Sequence, residues 1–248
     1  MDRQPLIDVL PNASAVIDSA DELVRVAAAA AIAARGRFTL ALSGGRTPNG
    51  LYEALAAAPG PGRAPLDWRR IHLFWGDERC VPPDHPDSNY GTAMKAFAGA
   101  PLPPSNVHRI VGESDPPEAG AAAYEALLRS TFALGETAVP ELDLVLLGLG
   151  ADGHTASLFP GTPALAETRR LVVAQWVESV GAHRVTLTYP VLNAARSVVF
   201  LVTGAEKAEM ARRLVWERDA SLPSARVQPA HGTLRYVLDR AAAARRPG

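Results

Sequence analysis

Short, continuously apolar segments alternate with helical patterns along this chain, and that alternation constrains its fold more than any other feature. The clearest apolar segments are FTLAL at 38–42, IHLFW at 71–75 and LDLVLLGLG at 142–150. A strand buried on both faces is continuously apolar, whereas a strand with one solvated face alternates apolar and polar residues. We therefore predict an α/β fold in which a mostly parallel sheet carries helices on both faces.

The remaining segments fit the same pattern. Ser19–Glu22 has the form of a capping box and predicts a helix that begins there and ends at Gly36. Thr47-Pro48 predicts the start of a second helix, with Thr47 as its N-cap. Further strands are predicted at 170–177, 184–189 and 197–204, and further helices at 88–98, 120–132, 205–219 and 235–246. Because the Pro- and Gly-rich loops at 59–65 and 99–105 are too short to be domain linkers, we expect one domain over 1–248.

Charge and cysteine content restrict the possible partners and location. The 25 basic and 26 acidic residues give a net charge of −1, so no overall field attracts nucleic acid or anionic lipid. Any anionic ligand must be bound by a local cluster of cations. Cys80 is the only cysteine, so no intrachain disulfide can form, and the N-terminal residues lack the apolar stretch of a signal peptide. We expect a cytoplasmic protein without a nucleic-acid or membrane partner.

Three polar clusters each follow an apolar strand. They are SGGRTP at 43–48, GDER at 76–79 and GADGH at 150–154. In open α/β sheets, ligands bind outside the carboxyl ends of the strands. We therefore expect the three clusters to meet in one site.

The first cluster has the features of an anion-binding loop. The backbone N–H groups of Gly44 and Gly45 can approach a ligand closely, and the following helix N-terminus favours negative charge. Ser43, Arg46 and Thr47 complete this candidate phosphate site. The alternative is a plain strand-to-helix turn, which needs glycine for its backbone and threonine for a cap. The Walker A spacing is absent.

Further charged residues are candidates for the same site. Arg79 can bind a phosphate through two N–H groups, and either Asp77 or Glu78 can hold Arg79 in place. A surface ion-pair cluster is the alternative for these residues. Arg184 begins a predicted strand, and Lys207 lies in the first turn of a predicted helix, so either can supply a second phosphate ligand.

The third cluster contains Gly148, Gly150 and Gly153 in the G-x-G-x-x-G spacing of a dinucleotide site. That interpretation requires a long helix from the third glycine, yet Pro160 follows only seven residues later. It also requires an acidic residue placed to meet a ribose, and none is suitably placed. We reject the dinucleotide site.

The glycines instead allow a tight loop to project Asp152 and His154 into a cleft. A neutral imidazole can accept a proton from water, which makes His154 a candidate general base. Asp152 either orients the imidazole or faces a sugar hydroxyl, and a histidine that only makes hydrogen bonds within its loop is the alternative. Ser157 is a weak nucleophile candidate because the G-x-S-x-G pattern is absent. No H-E-x-x-H or Cys/His pairing supports a metal site.

Together, four segments resemble the family of 6-phosphogluconolactonases and glucosamine-6-phosphate isomerases, and GADGHTASLFPG is the most specific part. The segments are 43–48, 75–89, 147–161 and 184–207. The resemblance implies the fold of glucosamine-6-phosphate deaminase and ribose-5-phosphate isomerase. It also implies an ester hydrolase that opens a sugar phosphate lactone, 6-phospho-D-glucono-1,5-lactone, in the oxidative pentose phosphate pathway without a cofactor. The resemblance implies that His154 corresponds to the catalytic base of such enzymes. It also implies that Ser43–Thr47, Arg79 and Lys207 correspond to their phosphate ligands.

Two other functions occur on the same fold. An amino-sugar phosphate deaminase of the same fold carries I-A-F-N-E-P after D-G-H, where this chain has TASLFPG at 155–161. A sugar-phosphate sensor requires a DNA-binding module, and the stretch before Ser43 is too short for a helix-turn-helix unit in addition to the fold. The sequence favours the lactonase.

Overall fold

The computed structural model describes residues 4–60 and 62–247, and a seven-stranded parallel sheet forms its centre. The strand order is β1-β10-β9-β6-β2-β3-β5, and every neighbouring pair is parallel. Every residue of β2 and β6 is buried, which requires cover on both faces of the sheet. The predicted α/β fold is confirmed. In chain order the strands are β1 (Leu6–Leu10), β2 (Phe38–Leu42), β3 (Ile71–Trp75), β4 (Asp77–Arg79), β5 (Val107–His108), β6 (Leu144–Leu147), β7 (Val172–Val177), β8 (Ala182–Leu187), β9 (Ser197–Val202) and β10 (Thr233–Asp239).

The helices pack around this sheet. The longest, which contacts β2 and β10, begins at Asn12, whose side chain accepts a hydrogen bond from the N–H of Ala15. The predicted capping box at Ser19–Glu22 is therefore wrong as a helix start and lies inside the helix. No helix of the described residues is long and apolar enough to cross a membrane. The helices are α1 (Ala13–Arg35), α2 (Arg46–Ala56), α3 (Asn89–Ala96), α4 (Pro117–Thr131), α5 (Tyr189–Ala194) and α6 (Ala208–Ala211).

The second helix starts differently from the prediction. Its N-cap is Gly45, with φ of 119°, so Thr47 lies in the first turn and does not cap it. The hydroxyl of Thr47 instead forms a 2.6 Å hydrogen bond with that of Thr203, directly after β9. This bond places the N-terminus of α2 beside the carboxyl end of β9.

A second, three-stranded antiparallel sheet was not expected from the sequence. It has the order β4-β8-β7. The strands β7 and β8 form a hairpin through the short turn Glu178–Gly181, where Gly181 has φ of 58°. A hairpin connection makes neighbouring strands antiparallel, so these two strands cannot continue the parallel sheet. Because β4 pairs with β8, this sheet brings residues after β3 against residues from the second half of the chain.

The predicted helix at 235–246 is wrong, because its first part is a strand and residues 240–245 form turns. Residues Thr233–Asp239 form β10, which lies between β1 and β9 with Tyr236 opposite Phe200. Helix propensity is a weak preference, and a place between two strands satisfies the backbone N–H and C=O groups on both sides. The neighbouring strands β1 and β9 therefore determine the extended conformation of this segment.

Candidate active site

The three polar clusters meet at the carboxyl ends of β2, β3 and β6. They line a cavity of about 400 Å³ together with side chains from β8 and from the turn after β9. The sequence-predicted residues on its wall are Ser43, Gly44, Gly45, Asp77, Arg79, His154, Arg184 and Lys207. Segments distant along the chain thus share one pocket, as the positions of the clusters predict.

Two predicted phosphate ligands lie outside this cavity. Arg46 and Thr47 line an adjoining groove of about 570 Å³, which shares Lys207 and the two glycines of the SGG loop. The Arg46 side chain is 97% exposed and lies 3.8 Å from the carboxylate of Glu206. Thr47 is engaged with Thr203. The structure therefore places these two residues beside Lys207 and the glycines in the adjoining groove, and not in the cavity that contains His154.

Buried contacts hold the SGG loop in place. The hydroxyl of Tyr52 on α2 accepts a hydrogen bond from the N–H of Ser43 and donates one to the Ser43 carbonyl, at 2.9 and 2.8 Å. A Cβ on Gly44 would lie 2.0 Å from Oδ1 of Asn89. Glycine is needed here because a neighbouring side chain touches the backbone, which a single sequence does not reveal.

Asp152 orients the ring of His154. Nδ1 of His154 lies 2.5 Å from Oδ1 of Asp152, which also accepts the backbone N–H of His154 at 3.1 Å. Partial burial would raise the pKa of Asp152, but these hydrogen bonds and the charge of His154 hold it below its usual value. Because a carboxylate only accepts, Nδ1 carries the proton. The Phe159 ring stacks on the imidazole with centroids 4.0 Å apart. Nε2 forms no hydrogen bond within the described part of the chain.

The glycines of this loop allow the imidazole to lie against the backbone. The N–H of Gly150 donates to the carbonyl of His154 at 2.8 Å, and Gly153 has φ of 82°. A Cβ on Gly150 would lie only 2.1 Å from Nδ1 of His154. The loop continues as turns and not as a helix, in agreement with the rejection of a dinucleotide site.

A cluster of positive charge forms the other side of the cavity. Arg79 on β4 lies directly opposite Arg184 on β8, and Lys207 comes from the 3₁₀ turn Ala205–Lys207. Burial lowers the pKa of Arg184, and the charge of Arg79 lowers it further. Within residues 4–60 and 62–247, none of these three cations forms an ion pair with a carboxylate. Such a cluster favours binding of an anion.

The predicted role of Asp77 requires a correction. Its carboxylate accepts a 2.7 Å hydrogen bond from the hydroxyl of Ser157 and does not hold the Arg79 guanidinium, which donates to the carbonyl of Asp87. The short Asp77 side chain reaches the segment directly after the GADGH cluster, whereas the longer Arg79 side chain reaches the Asp87 carbonyl. Ser157, in that segment, is 1% exposed and bonded to the Asp77 carboxylate, so it connects β4 to the chain after GADGH.

The carboxylate of Glu78, on the same strand as Asp77, holds backbone segments next to the cavity in place. Glu78 is 2% exposed and accepts the backbone N–H groups of Arg79, Asn89 and Tyr90 at 2.7–2.8 Å, and the hydroxyl of Ser88 at 3.1 Å. Burial raises its pKa, and the three backbone hydrogen bonds oppose that shift. Glu78 thus satisfies the first turn of α3 and fixes Asn89 on the cavity wall.

We expect Glu78→Ala to lower the free energy of unfolding by about 3 kcal/mol or more, because it leaves several buried N–H groups without acceptors. Urea denaturation measures this loss. Glu136→Ala, at an exposed position, serves as the control and should leave the unfolding free energy unchanged. Equal midpoints for the two variants would contradict the capping role of Glu78.

Sequence reasoning assigned no role to several residues on the cavity wall. Three of them are Asn89, Phe159 and Val180, the last from the turn between β7 and β8. Asn89 follows Ser88, the N-cap of α3, and this helix start is the local feature that could have indicated a place for Asn89 in the site. The other two reach the site through the fold of the GADGH loop and the hairpin, which the sequence does not specify.

Known proteins of one family are similar to this chain over nearly its whole length. Residues 11–236 match the family described as glucosamine-6-phosphate isomerases/6-phosphogluconolactonase. The chain is 43% identical to a 6-phosphogluconolactonase from a Nostoc species, covering 96% of this chain and 97% of that protein. It is 42% identical to the human 6-phosphogluconolactonase, covering 96% and 92%. It also superposes on the solved 6-phosphogluconolactonase structure from Trypanosoma brucei with a TM-score of 0.85, at 28% identity, covering 97% and 98%.

Proposed function

The chain belongs to the glucosamine-6-phosphate isomerase/6-phosphogluconolactonase family, and within it we propose that this enzyme hydrolyses 6-phospho-D-glucono-1,5-lactone to 6-phosphogluconate. This is an ester hydrolysis and the second step of the oxidative pentose phosphate pathway. The observation that carries the proposal is that His154, whose ring is bonded to Asp152, lines the same cavity as a cluster of three cations that have no carboxylate partner among the described residues. We place the enzyme in the cytoplasm and assign the activity to one domain over 1–248.

His154 acts as the general base in this proposal. Nε2 takes a proton from a water molecule as that water attacks the lactone carbonyl carbon, forming a new C–O bond. The C–O bond to the ring oxygen then breaks, and the imidazolium returns its proton to that oxygen. Asp152 stabilises the imidazolium, and because it binds Nδ1, Nε2 points away from the Asp152 carboxylate. A lactone is an activated ester, so neither a covalent nucleophile nor a cofactor enters these steps.

The cation cluster binds the phosphate in this proposal. Arg79, Arg184 and Lys207 supply fixed positive charges, and the N–H groups of Gly44 and Gly45 add the positive end of the α2 dipole. A phosphate held at this end fixes the distance between the lactone carbonyl and Nε2. The substrate has then already lost its translational and rotational freedom on binding, so this entropy no longer adds to the barrier of the reaction.

Hydrolysis of freshly generated 6-phosphogluconolactone, corrected for its spontaneous opening, tests this function. We expect catalysed hydrolysis and no ammonia release from glucosamine 6-phosphate, because the segment after His154 is TASLFPG and not the deaminase pattern. Ammonia release without lactone hydrolysis would overturn the proposal in favour of a deaminase.

We expect Gly150→Ala to lower kcat by ~10-fold or more while the protein still folds. The backbone of Gly150 is not left-handed, so alanine is tolerated there, but its Cβ must displace the imidazole of His154. The control is Gly135→Ala, where an added Cβ meets no atom within 4 Å. A Gly150→Ala enzyme with the kcat of the wild type would show that the ring position is not critical.

A further inference from the structure

A second groove, of about 880 Å³, lies at the opposite end of the sheet from the candidate active site. It is formed by the π-helical turn Arg212–Trp216, the segment 225–232 and the first half of β10. It shares no lining residue with the cavity that contains His154. The amino end of β10 borders it, whereas the active-site cavity lies at the carboxyl ends of the strands. The two sites are therefore separate.

The floor of this groove carries a hydroxyl that a ligand can reach. The Tyr236 side chain is mostly buried, at 4% exposure, but its hydroxyl is not a fully buried atom and makes no hydrogen bond to any residue that the structure describes. Burial of the ring raises the pKa of Tyr236 to about 12, and the nearby positive charge of Arg218 acts in the opposite direction. The hydroxyl therefore stays protonated near neutral pH and can donate a hydrogen bond to an acceptor in the groove.

The rim of the groove is cationic and its wall is apolar. Arg218 donates to the side chain of Gln4 but pairs with no carboxylate among residues 4–60 and 62–247, and His231 is exposed beside it. Leu214 and Val215 form part of the wall. No aspartate or glutamate is among the described lining residues. A neutral hydroxyl donor, an unpaired guanidinium and an apolar wall suit an anion with an apolar body.

The backbone around the groove is unusual at two points. Arg212–Trp216 is a π-helical turn, a rare element that occurs frequently at functional sites. Arg218, two residues after this turn, has φ of 52°, a conformation that costs free energy for a residue with a side chain. The strained residue is therefore the one that supplies the positive charge of the groove, and such strain persists where the surrounding structure enforces it.

We propose that this groove is a binding site for a small organic anion, with its acidic group between Arg218, His231 and the Tyr236 hydroxyl and its apolar body against Leu214 and Val215. The volume lies within the range of ligand pockets, which runs from about 300 to 1,000 Å³. The site is independent of lactone hydrolysis, because its residues do not touch the catalytic cavity.

Anilinonaphthalene sulfonate, a fluorescent anion with an apolar body, is a suitable probe. We would titrate it into the wild-type enzyme and into Arg218→Asn, Tyr236→Phe and the control Arg169→Asn, an exposed arginine outside both sites. Asparagine tolerates the left-handed backbone at position 218, and phenylalanine removes only the hydroxyl at 236, so both variants should fold and keep wild-type lactone hydrolysis. Each titration is repeated with saturating 6-phosphogluconate, which occupies the catalytic cavity.

We expect one probe per chain and a dissociation constant that rises ~10-fold or more in Arg218→Asn and several-fold in Tyr236→Phe. The control variant and 6-phosphogluconate should leave it unchanged. Equal binding by all four proteins, absence of binding, or displacement by 6-phosphogluconate would overturn the proposal. Binding that weakens as the protein concentration rises would also overturn it, because a second copy of the chain would then occupy the groove.

Discussion

Replacing His154 with alanine should lower kcat for lactone hydrolysis by ~10²-fold or more without unfolding the enzyme, which is the usual effect of removing a positioned base. The side chain is the one group in the cavity that combines an oriented ring with a free nitrogen, since Asp152 holds Nδ1 at 2.5 Å and Nε2 has no partner within the described residues. The ring is partly exposed, so its loss removes little packing.

The matched control is His231→Ala, a histidine at the opposite end of the sheet, which should retain wild-type kcat. Both variants are compared by hydrolysis of fresh lactone, with unfolding midpoints measured in parallel. Asp152→Asn should lie between His154→Ala and the wild type, because the amide no longer stabilises the imidazolium. A His154→Ala enzyme that hydrolyses the lactone at the normal rate would remove this residue from the mechanism.

Replacing Arg79 or Arg184 with alanine should raise KM by about 10- to 100-fold and change kcat much less. A charge-assisted hydrogen bond contributes about 1.5–3 kcal/mol, and each 1.4 kcal/mol corresponds to about a tenfold change in affinity. The two guanidinium groups lie opposite each other across β4 and β8 without a carboxylate partner among the described residues, so a bound phosphate relieves their mutual repulsion. Inhibition by inorganic phosphate should weaken in parallel with KM.

Arg46→Ala is the matched control for this pair of variants. Arg46 follows the SGG loop in sequence, but its side chain is 97% exposed and outside the cavity, so KM should remain that of the wild type. A rise in KM for Arg46→Ala with none for Arg79→Ala or Arg184→Ala would place the phosphate in the adjoining groove instead.

Local sequence patterns were sufficient to predict that Asp152 and His154 lie together, because both residues belong to one loop. Asp152 and His154 are two residues apart and follow the most apolar strand, so both their proximity and their place at a sheet edge could be predicted. The role of Asp77 could not be predicted in the same way. Its carboxylate had two possible partners, Arg79 nearby in sequence and Ser157 far away, and the second one forms the bond.

The sequence by itself determined which segments are buried on both faces and which polar loops follow them, because continuous apolar runs and glycine-rich loops have local physical causes. Only the tertiary structure decided which strands pair. The strand β4 pairs with β8 of the β7–β8 hairpin, and this pairing places Arg184 opposite Arg79. The segment Thr233–Asp239 becomes a strand because β1 and β9 offer backbone partners on both of its sides. Hydrogen bonding between strands depends on which neighbour is available, and that information is spread over the whole chain.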